Sequence, residues 1–301
     1  MRCLRIAAVL TVVATSLLVQ AQESAAQPRP QELAANTRVV IDYIDPRFAR
    51  SQATLDRLRK RQVLEELAMF LSPLRLPRVL RIRTKSCGVV NAFYDRSEWA
   101  VSLCYEFYEH LEQIAPQTAS PQGYTRDEVV VGGFIDAIFH ELGHALFDIL
   151  QVPVFGREED AADFFSAYVL LRFAPEDAAR LFQGVGFMMA SEAKAALEKP
   201  QDLRAFAVPH GTAAQRYYNL LCMAYGSDPK TFADAVSKGG LPTERADGCA
   251  EEFATLERAF RKLIVPYIDE ELLAKARAEV RFNWGPLITS TSGLDALPLA
   301  E

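Results

Sequence analysis

The strongest constraint on the fold is a long apolar helix with charge in its middle. From the Thr125-Arg126-Asp127-Glu128 start to about Leu150, the chain carries Ile135, Ile138, Phe139, Leu142, Ala145, Leu146 and Ile149 at helical spacing. These residues surround the helix instead of forming one stripe, so it belongs in a core. Yet its centre reads His140-Glu141-Leu142-Gly143-His144. Burying such groups without partners costs several kcal/mol. A divalent metal and its water remove that cost. Helix positions four apart lie about 40° from each other, so His140 and His144 reach one ion from one face. Glu141 lies in the turn between them and can aim at a water on that ion. At average residue usage this pattern arises by chance in on the order of one such chain in a hundred.

A catalytic zinc takes a third protein ligand and keeps a position open for water. The metzincin arrangement would need Gly at 147 and His at 150, where this chain has Phe147 and Leu150. The next candidates are in Arg157-Glu158-Glu159-Asp160-Ala161-Ala162-Asp163, at the start of a second helix expected over about 158–173. Glu159 and Asp163 are four apart and share a face. Glu159 is the leading candidate for the third ligand, with Glu158 and Asp160 as rivals. Asp163 is placed to accept a ring N–H from a ligating histidine and so fix its tautomer.

With these residues in view, His140-Glu-Leu-Gly-His144 followed by Glu159-x-x-Ala-Asp163 resembles the gluzincin type of zinc peptidase. There the Glu of an ExxxD segment is the third ligand and its Asp supports a histidine; the spacing between the two helices is shorter here than in thermolysin-like enzymes. The stretch Phe139–Leu171 is similar to a bacterial family of exported putative metallopeptidases of unknown function. Cys87-Gly-Val-Val-Asn-Ala-Phe-Tyr94, Cys104-Tyr-Glu106, Arg216-Tyr-Tyr-Asn219, Cys222 and Tyr225-Gly226 look like that family's recurring segments. The resemblance covers roughly residues 36–270. It implies a zincin-type fold, one Zn2+ and peptidase activity.

The expected chemistry is hydrolysis of peptide bonds by a metal-activated water, with Glu141 as general base. His210, just before a helix that carries Arg216, Tyr217 and Tyr218, is the leading candidate for a donor to the oxyanion. His110 has a weaker claim. An exposed edge of the 89–94 or 99–105 strand could hold substrate as an added strand, with Phe93, Tyr94 and Tyr105 either lining subsites or filling the core. Two rival functions remain open at this level. One is a zinc-binding envelope protein without catalysis. The other is a zinc hydrolase of a non-peptide amide, such as a cell-wall component.

The chain begins with a basic Met1-Arg2-Cys3-Leu4-Arg5, an apolar run from Ile6 to Val19, and small residues up to Ala21. This is the form of a signal peptide cleaved near Ala21. The run is shorter than the roughly 20 apolar residues of a membrane span, so no stable insertion is expected after cleavage, and the protein is expected in the periplasm or secreted. Losing residues 1–21 removes Arg2 and Arg5 and no acid, taking the net charge from −6 to −8. That charge argues against nucleic acid or an anionic membrane as partner; a peptide or protein substrate is what the family resemblance implies. Four cysteines then remain, an even number suited to an oxidising compartment. Nearness in sequence favours Cys87–Cys104 and Cys222–Cys249.

Residues 22–36 read as a flexible leader and 283–301 as a loosely docked tail around a domain spanning 37–282. Strands are expected at 38–44 and 78–84, with a hairpin of 89–94 and 99–105. Helices are expected at 51–72, 176–184, 191–198, 212–225, 229–237 and 249–265, with a loop at 116–123. Strands first and helices afterwards point to α+β: a small N-terminal mixed sheet, an active-site helix and a mostly helical C-terminal half.

Overall fold

The computed structural model describes residues 39–118, 123, 125–198, 206–280 and 282. The expected signal peptide, leader and tail, and most of the 116–123 loop, lie outside the described residues.

The fold is α+β. Four strands, β1 (Val39–Tyr43), β2 (Leu80–Lys85), β3 (Ala92–Asp95) and β4 (Ala100–Cys104), form a mixed sheet in the order β1-β2-β4-β3. β1 and β4 flank β2 in parallel, and β3 runs antiparallel to β4 with Phe93 opposite Ser102. β4 is buried along its whole length, whereas β3 is half-buried at the sheet edge. Strand β3 is shorter than the expected 89–94. The Glu106 carboxylate accepts the backbone N–H groups of Cys87 and Gly88 at 3.0 and 2.9 Å, and Gly88 takes φ +79°. The chain bends there, so Val89 and Val90 are exposed instead of paired.

The helix expected over 51–72 is two helices, α1 (Gln52–Lys60) and α2 (Val63–Leu71). Arg59-Lys60-Arg61-Gln62 offers no apolar residue to bury for a full turn, and Gln62 adopts a left-handed φ of 51°. The Tyr43 hydroxyl accepts the Leu64 N–H at 3.0 Å and donates to Glu65 at 2.8 Å, satisfying an orphan amide at the start of α2. After β4, Tyr105–Ile114 forms α3.

α4 (Arg126–Ile149) is the axis of the molecule. Thr125 accepts from the Glu128 N–H and Glu128 from the Thr125 N–H, a reciprocal cap. It has the length and apolarity of a membrane span, but 89% of its most apolar window is buried within the protein. α5 (Glu158–Leu170) and α6 (Pro175–Leu197) pack on it. α6 joins the two helices expected at 176–184 and 191–198. A Cβ on Gly184 would lie 1.8 Å from the Glu128 carbonyl oxygen, so only glycine permits that approach.

α7 (Ala213–Ser227), α8 (Asp234–Ser237), α9 (Thr243–Ala246), α10 (Cys249–Leu263) and α11 (Glu270–Glu279) complete the helical part. The 229–237 helix shrinks to the four residues of α8. α11 was not expected, although Asp269 caps it through the N–H groups of Glu271 and Leu272. Disulfides join Cys87 to Cys104 and Cys222 to Cys249. The first ties the bend before β3 to the end of β4; the second ties α7 to α10.

Candidate metal centre

α4 and α5 run close together because Gly143 leaves room. A Cβ there would lie 3.2 Å from the Ala162 Cα and 3.3 Å from the Phe165 ring. This approach lets the first turn of α5 face His140 and His144. His140 Nε2 lies 3.2 Å from His144 Nε2, and each lies 3.2 Å from Glu159 Oε2. Around a tetrahedral zinc with bonds of about 2.0–2.1 Å, neighbouring donor atoms stand about 3.3 Å apart. The triangle therefore has the size of one face of such a site. Two ring nitrogens facing each other cannot both be satisfied by their own lone pairs, whereas a cation between them and the carboxylate satisfies all three. The donor set fits a divalent metal.

Each imidazole is held from behind by a carboxylate. His140 Nδ1 lies 2.8 Å from Asp163 Oδ1, and His144 Nδ1 lies 2.8 Å from Glu158 Oε1. A carboxylate accepts only, so each Nδ1 carries the proton and each Nε2 faces the centre. Both carboxylates are in turn gripped by an arginine. Arg216 on α7 donates to both oxygens of Asp163 at 2.7 Å, and Arg96, in the β3–β4 turn, donates to both oxygens of Glu158 at 2.6 Å. The Asp163–Arg216 pair is the more buried, with side chains 16% and 20% exposed against 34% and 57% for Glu158 and Arg96.

These contacts set the charge states. Burial opposes the His140 imidazolium, but Asp163 and Glu159 outweigh it and raise its pKa to about 10. The His140 hydrogen bond, helped by the other two histidines, lowers Glu159 to about 2 against the cost of burial. Asp163 resists burial and is held well below the usual carboxylate range by Arg216 and His140. Glu141 points into the cleft beside the imidazoles, and burial raises its pKa. Its carboxylate also accepts the Tyr94 backbone N–H, which links it to β3. One turn before His140, Asp136 is fully buried; Ser166 donates to it at 2.7 Å, and burial lifts it to about 6.

His210 Nε2 lies 2.8 Å from Glu159 Oε2, and the His210 ring stacks on His140 with centroids 5.9 Å apart. Burial lowers its pKa below the ordinary imidazole value, against the pull of Glu159. Asp160 is engaged by Arg157 at 2.7 Å. His110 is not among the residues lining the cleft, and Tyr105 is a core residue whose hydroxyl donates to the Ile44 carbonyl at 2.6 Å. A cleft of about 480 Å3 opens over the centre, lined by Asn91–Tyr94, Arg96, Glu141, His144, Arg157–Glu159, Pro209 and His210. Cys87, Cys104 and Glu106 also cluster, but the two sulfurs are bonded to each other and are not ligands.

Residues 43–264 match a family model described as putative metallopeptidase. The chain belongs to that family. No curated protein and no solved structure matches the chain. The family model takes in every residue of the centre, from Arg96 to Arg216. Sequence reading named Arg216 in a recurring segment without a role and gave Arg96 none, because each meets its carboxylate across more than 50 residues of chain. Glu158 was weighed only as a rival ligand; its adjacency to Glu159 at a helix start was the available signal.

Proposed function

We propose that this chain is a zinc-dependent peptidase with a zincin-type domain over residues 37–282, between a leader at 22–36 and a tail at 283–301. On this reading it is exported behind a signal peptide at 1–21 and acts in the periplasm or outside the cell. The observation that carries the reading is the 3.2 Å triangle of His140, His144 and Glu159 with Glu141 beside it. Two disulfides suit an oxidising compartment, and the family match supports a peptide substrate.

His140, His144 and Glu159 would hold a zinc ion, which would supply Lewis acidity to a scissile carbonyl and lower the pKa of a water towards 7. Glu141 takes that water's proton and returns it to the leaving amine; burial brings its pKa nearer to neutrality, which suits both transfers. Asp163 and Glu158 hold the imidazole tautomers. His210 Nε2 contacts Glu159 Oε2 at 2.8 Å, and with that oxygen taken up by a metal its N–H would be released to the oxygen that gains charge.

β3 supplies the substrate strand. Tyr94 directs its N–H away from β4 to Glu141, and Asn91 accepts from Cys104 on the opposite side. By strand alternation, Ala92 presents its N–H and C=O along the cleft, where an extended peptide can pair with them. Metal analysis should find one zinc per chain, and a chelator should abolish cleavage. Glu141→Gln should retain zinc and lose at least about a hundredfold in kcat. Wild-type protein with stoichiometric zinc and no cleavage across a broad peptide library refutes the peptidase reading.

A further inference from the structure

α5 turns two faces to its surroundings. Glu159 and Asp163, about 40° apart around the helix, face the histidines of α4; Ala161, Phe164 and Phe165 point roughly the opposite way. These three help to line an apolar groove of about 210 Å3, bounded also by the end of α4, residues 152–155 and α10. Every residue lining it is apolar, and Phe155, at its lip, is wholly exposed. A cavity of about 150 Å3 takes up a benzene molecule, so this groove has room for an aromatic or branched side chain from outside. Open apolar surface of this kind marks a binding site. The described chain ends close to it. The Phe282 ring lies 5.4 Å from that of Phe70 and 5.3 Å from that of Phe173. Phe70 lines a second, smaller apolar cavity with Phe165, Phe260 and Ile264, and those three also line the groove.

We propose that the Trp284–Ile288 segment of this chain fills the groove and braces α5 from behind, holding its Glu158–Glu159 start against His140 and His144. Nineteen residues follow Phe282, and Trp284-Gly285-Pro286-Leu287-Ile288 opens them with three large apolar side chains; no charge occurs before Asp295. At about 3.3 Å per residue, Ile288 can lie as far as about 20 Å from Phe282. The other segments outside the described residues suit the groove less well. Residues 22–38 have Leu33 as their one large apolar side chain, and residues 199–205 have Leu203. A short tether gives the segment an effective concentration on the order of millimolar. A second copy or a separate partner would have to displace it.

The test is hydrogen exchange read by mass spectrometry on the full mature chain. In a tail variant (Trp284→Ser, Leu287→Ser and Ile288→Ser) the amides of 152–165 and 256–264 should exchange about tenfold faster, with β2 and β4 unchanged. Ala259 lines the groove at an exposed position, so Ala259→Glu should give the same pattern from the other side. That second variant keeps the test open should the first fold poorly. Both should raise the zinc Kd about fivefold, less than loss of a group bonded directly to a ligand. Unchanged exchange in both variants overturns the docking. Protection that follows protein concentration instead of the tail also overturns it, since that marks a second copy in the groove. Faster exchange with an unchanged zinc Kd overturns the bracing. None of these readouts is cleavage, so the result stands apart from the peptidase reading.

Discussion

Asp163→Asn tests whether the buried relay behind His140 governs metal binding. The asparagine Oδ1 can still accept the Nδ1–H, so that hydrogen bond survives, while the charge and the Oδ2 acceptor of the Arg216 Nε–H are lost. Coulomb's law for unit charges at the observed 2.8 Å gives about 6 kcal/mol at an effective dielectric of 20 and about 1.5 kcal/mol in bulk water. Asp163 and Arg216 lie nearer the first regime, Glu158 and Arg96 nearer the second. Most of the gross term is offset by desolvation, and substitutions of such supporting groups cost about 10–100-fold in metal affinity. Asp163→Asn should therefore raise the zinc Kd about 100-fold, roughly 2.7 kcal/mol, and Glu158→Gln by about tenfold or less. The assay is competitive titration of metal-free protein against a chromophoric chelator, with circular dichroism confirming the fold. The reasoning is refuted if folded Asp163→Asn binds zinc within threefold of wild type, or if Glu158→Gln is the larger loss.

The pH dependence of the metal-free protein has a defined sign. The folded pKa of His140, about 10 against an ordinary 6.5, contributes stability that is complete below about pH 6.5 and lost as pH rises through 10. The depressed Glu159 adds stability present above its ordinary 4.5 and lost as pH falls through about 2. Metal-free Tm should fall from pH 6.5 to 9.5 more steeply in wild type than in His140→Gln, and equal slopes in scanning calorimetry would contradict this. Gly184→Ala forces α4 and α6 apart against backbone and should cost about 3 kcal/mol in urea denaturation, with a loss under 0.5 kcal/mol counting against the packing account. Replacing both Cys222 and Cys249 with Ser opens a loop of 27 residues and should cost roughly 3.5 kcal/mol by chain entropy, also measured in urea; an unchanged midpoint refutes it.

How far the site could be read from sequence followed the range of each contact. His140, Glu141 and His144 lie within one helical turn and a half, and Glu159 with Asp163 repeats the same spacing, so periodicity alone placed them on two faces. Nothing periodic connects Arg216 to Asp163 or Arg96 to Glu158. Those contacts exist because α7 and the β3–β4 turn reach the same helix start from opposite sides. The fold shows the same division. The capped start of α4 was legible in Thr125 and Glu128. The break at Gln62 was not, because the Tyr43 hydroxyl that satisfies Leu64 comes from another element. Strand 89–94 has the right residues for pairing and still bends, because Glu106, 18 residues beyond Gly88, captures its first amides.

The carboxylates around His140 explain why the centre holds a proton when it holds no metal. Glu141, Glu158, Glu159 and Asp163 bring four carboxylates to the centre, and among the described residues Arg96 pairs with Glu158 and Arg216 with Asp163. Asp163 and Glu159 outweigh the cost of burying the imidazolium, so His140 retains a proton to about pH 10. A divalent ion between the same atoms must displace that proton, so proton and metal compete for one position. The arginines bond Asp163 and Glu158, the carboxylates behind the imidazoles, and share Asp163 Oδ1 and Glu158 Oε1 with them. The centre is thus preorganised by groups that do not compete for the metal.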